Sequence, residues 1–378
     1  VTAIDLALGI LVLLSAVLLL WPFLFYPLIL RLLPERPVTR GAGATPTASL
    51  LFCSYNEAGA LPAKIANLRA LKAQHRGLEI LAFDDGSADG TGALLAEAGD
   101  LLTLVSGPGR SGKAHGMKLL AARATGDVLI FTDANVLLDE DAIVALLPYY
   151  ADPDVGGVLG SLRYGGADSS ASASIGALYW RIEEHLKDLE SRTGNVMGAD
   201  GSIFSIRRAL YPTFPDSVLD DLTVSMSVVF AGKRLIKAKD VIAREMMVAR
   251  REDEYRRKVR IAARSWHTHA HLRPQLHRMS ALDRFKYASR KIVRWFGGLW
   301  IALGAVSALV LAWRIAPVAA IALGAMGLGL LGLGLAARRG PLAGIVDMLL
   351  AYVATLKGVL LAMKGQTFTT WAPAKSRD

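Results

Sequence analysis

The residues of this chain that could do chemistry are mostly carboxylates placed where short apolar runs stop. Asp84 and Asp85 close one run in FDDGSADGT, and Asp133 closes another in FTDAN, with Asn135 two residues on. In extended backbone, positions i and i+2 point the same way. The Asp133 carboxylate and the Asn135 amide oxygen can therefore share a hard divalent cation that fills its shell with water and phosphate oxygens. Asp200 stands between small residues in GADGS, where Gly201 lets backbone approach a substrate closely. Asp220 and Asp221 open a helical run in VLDDLTVSMSVV. A carboxylate there either caps the helix or takes a proton from an attacking hydroxyl. Taken singly, each acidic motif is also an ordinary turn or cap; two acidic strand ends in one sheet argue for a site.

The cationic candidates are Lys113 and a set after Asp253. Gly107, Gly112 and Lys113 have the G-x-x-x-x-G-K spacing of a phosphate loop, but Ala114 stands where the Mg²⁺-binding hydroxyl belongs. That counts against a membrane ATPase, the alternative of another class. Lys113 then either faces a diphosphate or belongs to a loop with no ligand. Arg256, Arg257, Lys258 and Arg260 share one helical segment. They read as a lipid-touching face or as a clamp on a departing diphosphate.

The elements that hold these groups alternate. ASLLFCSY, LEILAFDD, LLTLVS and DVLIFTD read as strands, with helices expected at Leu61–Lys72, Ala88–Ala98, Met117–Ala124 and Glu140–Tyr150. The pattern predicts an α/β fold with a mostly parallel sheet and flanking helices, whose ligands bind beyond the carboxyl ends of the strands.

Composition adds a membrane. Hydrophobic residues are 53% of the 378, and the formal charge is +10. Residues from about Ile4 to Leu33 are nearly all apolar, long enough to span and without the basic leader of a signal peptide. Pro22 and Pro27 predict a kink near one interface. Further apolar runs cover about Ile292–Trp313, Pro317–Ala336 and Leu342–Met363, and the glycines of GAMGLGLLGLGL permit close helix packing. Leu282–Trp295 mixes aromatics with Arg and Lys, as an interfacial segment does. Basic residues at Arg31–Arg40 put that flank in the cytosol. Four crossings would then place Lys364, Lys375 and Arg377 outside, against the same rule, so one late run is expected to be re-entrant or interfacial. The basic segments lack the interleaved aromatics of a nucleic-acid platform, and the single Cys53 allows neither a disulfide framework nor a zinc cluster.

From about Ser49 to Trp266 the order of motifs resembles the family 2 glycosyltransferases, in their membrane-bound cellulose, hyaluronan and chitin synthase-like branch. CSYNEA is similar to the opening strand and donor loop, DDGSADGT to the nucleotide-binding acidic motif, GRSGK to the stretch before the metal motif, and LDDL to the acidic pair that holds the base. The resemblance implies a GT-A-like fold, an inverting mechanism, a uridine diphosphate sugar donor and Mg or Mn. It assigns Tyr55, Asn56, Glu57, Asp84, Asp85, Lys113, Asp133, Arg257 and Arg260 to the donor, and Asp133 with Asn135 to the metal. Asp200, Gly201 and Asp220 go to the acceptor side, and Asp221 is the catalytic base. Where processive synthases of this branch carry Gln-x-x-Arg-Trp, this chain has Arg257, Arg260 and Ile261. The departure points to transfer of one or few sugars onto a lipid-linked or saccharide acceptor, with a processive polysaccharide synthase as the alternative. The expected division is a membrane helix and basic flank over 1–40, a cytosolic catalytic domain over 47–250, interfacial helices over 251–291, and membrane helices with a tail over 292–378. Such a protein would sit in the inner (cytoplasmic) membrane and bind no nucleic acid.

Overall fold

The computed structural model describes residues 2–41, 45–107, 109–165, 171–246, 251–337 and 340–370. The middle of the Gly41–Pro46 linker, and Lys375 and Arg377 of the tail, lie outside these residues. The strands are β1 (Ala48–Ser54), β2 (Glu79–Asp84), β3 (Thr103–Ser106), β4 (Val128–Thr132), β5 (Leu137–Leu138), β6 (Val155–Gly165), β7 (Ile203–Arg207) and β8 (Arg234–Met246). They form a single sheet in the order β3-β2-β1-β4-β7-β6-β8-β5.

The β3-β2-β1-β4 half is parallel, as the alternation predicts. The other half is mixed. β7 runs antiparallel to both β4 and β6, while β6 and β8 are parallel and β5 closes the edge antiparallel to β8. All seven residues of β1 are buried. Its side chains alternate between two cores, Leu50 and Phe52 on one face and Leu51 and Cys53 on the other. The first face packs on the Leu61–Gln74 helix, the second on the Lys113–Arg123 and Asp220–Phe230 helices. A strand covered on both faces reads as a continuous apolar run, which is why these runs stand out in the sequence.

Among the described residues four helices are long and apolar enough to cross a membrane: Ala3–Leu32, Gly297–Ile315, Pro317–Ala336 and Pro341–Met363. Their outward residues, such as Leu13, Val306 and Leu328, are largely exposed, as a lipid-facing surface is. The first helix loosens into a π-turn at Trp21–Phe25, where Pro22 removes a backbone donor. Arg314 pairs with Asp5 at 2.6 Å and joins the far ends of two helices. Of the Gly-rich run, Gly334 packs on Val346, but Gly324, Gly327, Gly329 and Gly332 meet nothing among the described residues. The close packing expected of that run is confined to its end.

The Arg251–Leu272 helix lies along Pro341–Met363. Arg251 is ion-paired with Asp347, and His267 Nε2 is 2.7 Å from the Gln366 carbonyl. Between them the helices nearly touch: a Cβ at Gly358 would fall 2.3 Å from the Val259 carbonyl oxygen. The Pro341–Met363 helix also meets Gly297 through Tyr352 and Gly334 through Val346, so it touches the start of one other apolar helix and the end of another.

Candidate active site

Lys113, the first residue of its helix, reaches between the strand ends. Its ammonium bonds Asp133 Oδ1 at 2.5 Å and lies 3.7 Å from Asp220 Oδ2. Burial opposes that charge, yet Asp133, Asp220 and Asp221 together hold Lys113 well above the ordinary lysine range. Gly201 closes on the same pair; a Cβ there would lie 2.7 Å from Asp133 Oδ2 and 2.9 Å from Lys113 Nζ. Only a glycine leaves both groups in place.

Asp221 is the second residue of its helix, next to Asp220. Burial, then the adjacent Asp220, push its carboxyl up to about 7, with Lys113 pulling the other way. A carboxylate balanced near neutrality suits a general base. Asp200 is held below the usual carboxylate range despite its burial, because Lys187 is ion-paired with it and Ser202 donates to it.

Other predicted residues shape the site from behind. Asp85 is wholly buried and accepts from the Ser111 amide at 2.6 Å and the Gly112 amide at 2.9 Å. It fixes the GRSGK loop and so aims Lys113. Asp84 accepts from Ser87 Oγ at 2.5 Å. Asn56, at φ +52°, accepts from the Ala88 amide at 2.9 Å and ties the two loops together. The Arg110 guanidinium lies 3.4 Å from the centre of the Tyr55 ring, a stacked cation and arene.

A cavity of about 2270 Å³ gathers Glu57, Lys113, Asp133, Asn135, Asp200, Gly201, Asp220, Asp221, Arg257 and Arg260 on its wall. Tyr55, Asn56, Asp84 and Asp85 stand outside that wall. Arg257 is held by Glu254 through two bonds of 2.8 and 3.1 Å. Asn135 donates its amide to Glu245 at 3.1 Å. Among the described residues no three His, Cys, Asp or Glu side chains cluster as a metal cage. Ala134 and Asn135 form a turn after β4 where the sequence predicts extended backbone, and Asp133 Oδ1 is taken by Lys113; the remaining oxygens of Asp133 and Asn135 would suit a cation held largely by phosphate and water.

Sequence reading passes over one wall of this cavity. The Ala171–Arg192 helix contributes Tyr179, Trp180, Glu183 and Lys187, and the segment before the Gly297 helix contributes Lys291 and Arg294. The available signal is the charge density of RIEEHLKDLESR, which a surface helix would show equally well.

Residues 49–213 match the family described as glycosyl transferase family 2. This segment is a family 2 glycosyltransferase domain. An N-acetylglucosaminyltransferase of Rhizobium leguminosarum bv. trifolii is 28% identical over 122 residues, 31% of this chain and 67% of the relative. The mannosyltransferase PcManGT from Pyrobaculum calidifontis, solved with GDP-Man and Mn²⁺, superposes with a TM-score of 0.73 at 22% identity. The superposition covers 93% of this chain and 99% of the other, so the likeness of fold takes in the apolar helices as well as the sheet. The glycosyltransferase therefore has a GT-A-like sheet with flanking helices, one apolar helix before it and three after it.

Proposed function

We propose that this glycosyltransferase is membrane-bound and inverting, and moves one sugar from a nucleoside-diphosphate sugar to a hydroxyl of a membrane-held acceptor, lipid-linked or glycan. The observation that carries the reading is Asp221, set beside Asp220 and Lys113 on the wall of a cavity that continues among the apolar helices, where its carboxyl is pushed up. The acceptor oxygen attacks the anomeric carbon from the side opposite the diphosphate. Asp221 takes the hydroxyl proton as the new C–O bond forms. The old bond breaks with its electron pair on the diphosphate, and the configuration inverts. Bound Mg or Mn, held by Asp133 and Asn135, would neutralise the diphosphate. Lys113 is aimed at the same region by Asp85, and Arg260 with Arg257 completes the cationic side once Arg257 leaves Glu254.

The donor is a uridine diphosphate sugar by the family resemblance, and the loss of the Gln and Trp at Arg257 and Ile261 favours single transfer over polymer synthesis. The test is a screen of nucleotide sugars for nucleotide release, repeated with Asp221→Asn, followed by product mass and anomeric configuration. Release that survives Asp221→Asn unchanged would remove the base assignment. A ladder of long products would replace single transfer by processive synthesis.

The membrane arrangement we propose is supported by contacts. Asp347 and Gln366, near the two ends of the Pro341–Met363 helix, meet the same Arg251–Leu272 helix, and the Thr369 carbonyl approaches Gly112 of the catalytic domain. We read this helix as lying along the membrane surface, with Ala3–Leu32, Gly297–Ile315 and Pro317–Ala336 crossing. The Arg31–Arg40 flank and Lys364 then share the catalytic domain's side, which we assign to the cytosol of an inner membrane. A cysteine at position 364 should be labelled by an impermeant thiol reagent from the same side as one at position 40; labelling from opposite sides would make the last helix a crossing.

A further inference from the structure

Beyond the catalytic acids, the cavity runs to a cationic wall and then into the apolar helices. Arg290 is compensated by Glu183 at 3.0 Å and by Glu190. Arg294 bonds Glu183 Oε1 and the Tyr179 hydroxyl, each at 2.5 Å. Lys258 pairs with Glu254 at 3.1 Å and lies 5.1 Å from the centre of the Tyr179 ring. Lys291 has no such partner. No described residue hydrogen-bonds or ion-pairs with it, although it lines the cavity and is flanked by Arg290 and Arg294. Its Nζ lies 3.7 Å from where a Cβ on Gly198 would stand, two residues before Asp200 and beside Leu222, which follows Asp221.

The backbone under Lys291 is also irregular. Residues Ala288–Ile292 form a π-turn between two α-helical stretches, a feature that re-aims side chains and recurs at functional sites. An unpartnered ammonium beside two guanidinium groups is costly unless an anion arrives.

We propose that Lys291, flanked by Arg290 and Arg294, is an anion subsite that holds the phosphate or diphosphate linking a lipid chain to the acceptor sugar. The inference rests on the transferase reading above and narrows its acceptor. Asp221 as a base requires a neutral hydroxyl as nucleophile, so the anion bound at Lys291 is a different part of the same molecule. Farther along, Ser15 and Phe23 of the first helix, Trp300 of the second and Tyr352 of the last line the continuation. The cavity thus offers, in order, a base for a sugar hydroxyl, a cation for a phosphate linkage and apolar walls for a chain.

The test uses the full chain in phosphatidylcholine nanodiscs, with native mass spectrometry reading bound lipid. The probes are a polyprenyl diphosphate, the matching uncharged polyprenol, and inorganic diphosphate as competitor. Wild type should prefer the diphosphate lipid by at least about tenfold. Lys291→Gln should erase that preference, Lys291→Arg should keep it, and affinity for a nucleotide sugar should be the same in all three. Equal binding of polyprenol, or an unchanged preference in Lys291→Gln, overturns the proposal. So does binding of inorganic diphosphate without the lipid, which would make the anion a soluble one. Loss of nucleotide-sugar affinity in Lys291→Gln would give the lysine to the donor and also overturn it. Absence of nucleotide release in a wild type that still prefers the diphosphate lipid would sink the transferase reading alone.

Discussion

The strand-end site and the membrane-side wall of the same cavity balance their charges differently. At the strand ends Lys113 is shared by Asp133, Asp220 and Asp221, which outnumber it. At the wall, Arg290 and Arg294 take Glu183 and Glu190, Arg257 and Lys258 share Glu254, and Lys291 is left over. The surplus carboxylate is forced towards neutrality and can move a proton. The surplus ammonium has no ion-pair partner among the described residues and is set to take an anion. One cavity therefore divides chemistry from capture by the sign of its uncompensated charge.

The largest effect should come from removing the proton acceptor. Asp221→Asn should lower kcat by about 10³-fold, within the usual range for a general base, with nucleotide-sugar affinity retained. In wild type, kcat should rise with pH through about 7 as Asp221 ionises; a flat profile there would break the contrast between the two ends. Next comes the metal. Chelation should abolish transfer, Mg or Mn should restore it, and Asp133→Ala should resist restoration. Full activity in chelator would remove Asp133 and Asn135 from that role.

Lys113→Met sharpens the comparison because it strips the strand ends of their cation. The pair is only half-buried, so thermal stability should fall modestly. The rate profile should also move to higher pH, since Lys113 lowers the Asp221 pKa. A midpoint that stays put would show that burial and Asp220 alone set it.

Much of the strand-end site is legible in the sequence. Asp84, Asp85, Asp133 and Asp221 follow or precede strongly apolar runs, because β1, β2 and β4 are buried on both faces and stop where the polar residues begin. The division of labour among these acids is less legible. Asp85 reads as a ligand by its motif, yet it is wholly buried against the Ser111 and Gly112 amides. The antiparallel entry of β7 between β4 and β6 is set by long-range pairing, which no local pattern records. The wall is the least legible part. Lys291 looks like any basic residue at a membrane interface, and its significance is the lack of a partner, which exists only once Glu183 and Glu190 have been taken by Arg290 and Arg294.

The smallest effect is a gain in stability. The Lys291 pKa is lowered to about 8 from 10.5 by burial first and by Arg290 and Arg294 next, against the pull of Glu183 and Glu190. A lysine depressed in the folded state binds its proton more tightly when unfolded, so the charge destabilises the fold. The penalty is complete below about pH 8 and fades as pH rises towards 10.5. Lys291→Met should therefore raise Tm at pH 7 by about 2 °C, and the gain should shrink by pH 9.5. Polyprenyl diphosphate should reverse the order, stabilising wild type through binding to the folded state while leaving the variant unmoved. A variant that gains nothing at pH 7 would mean that Lys291 is already compensated, and the two ends of the cavity would no longer differ in kind.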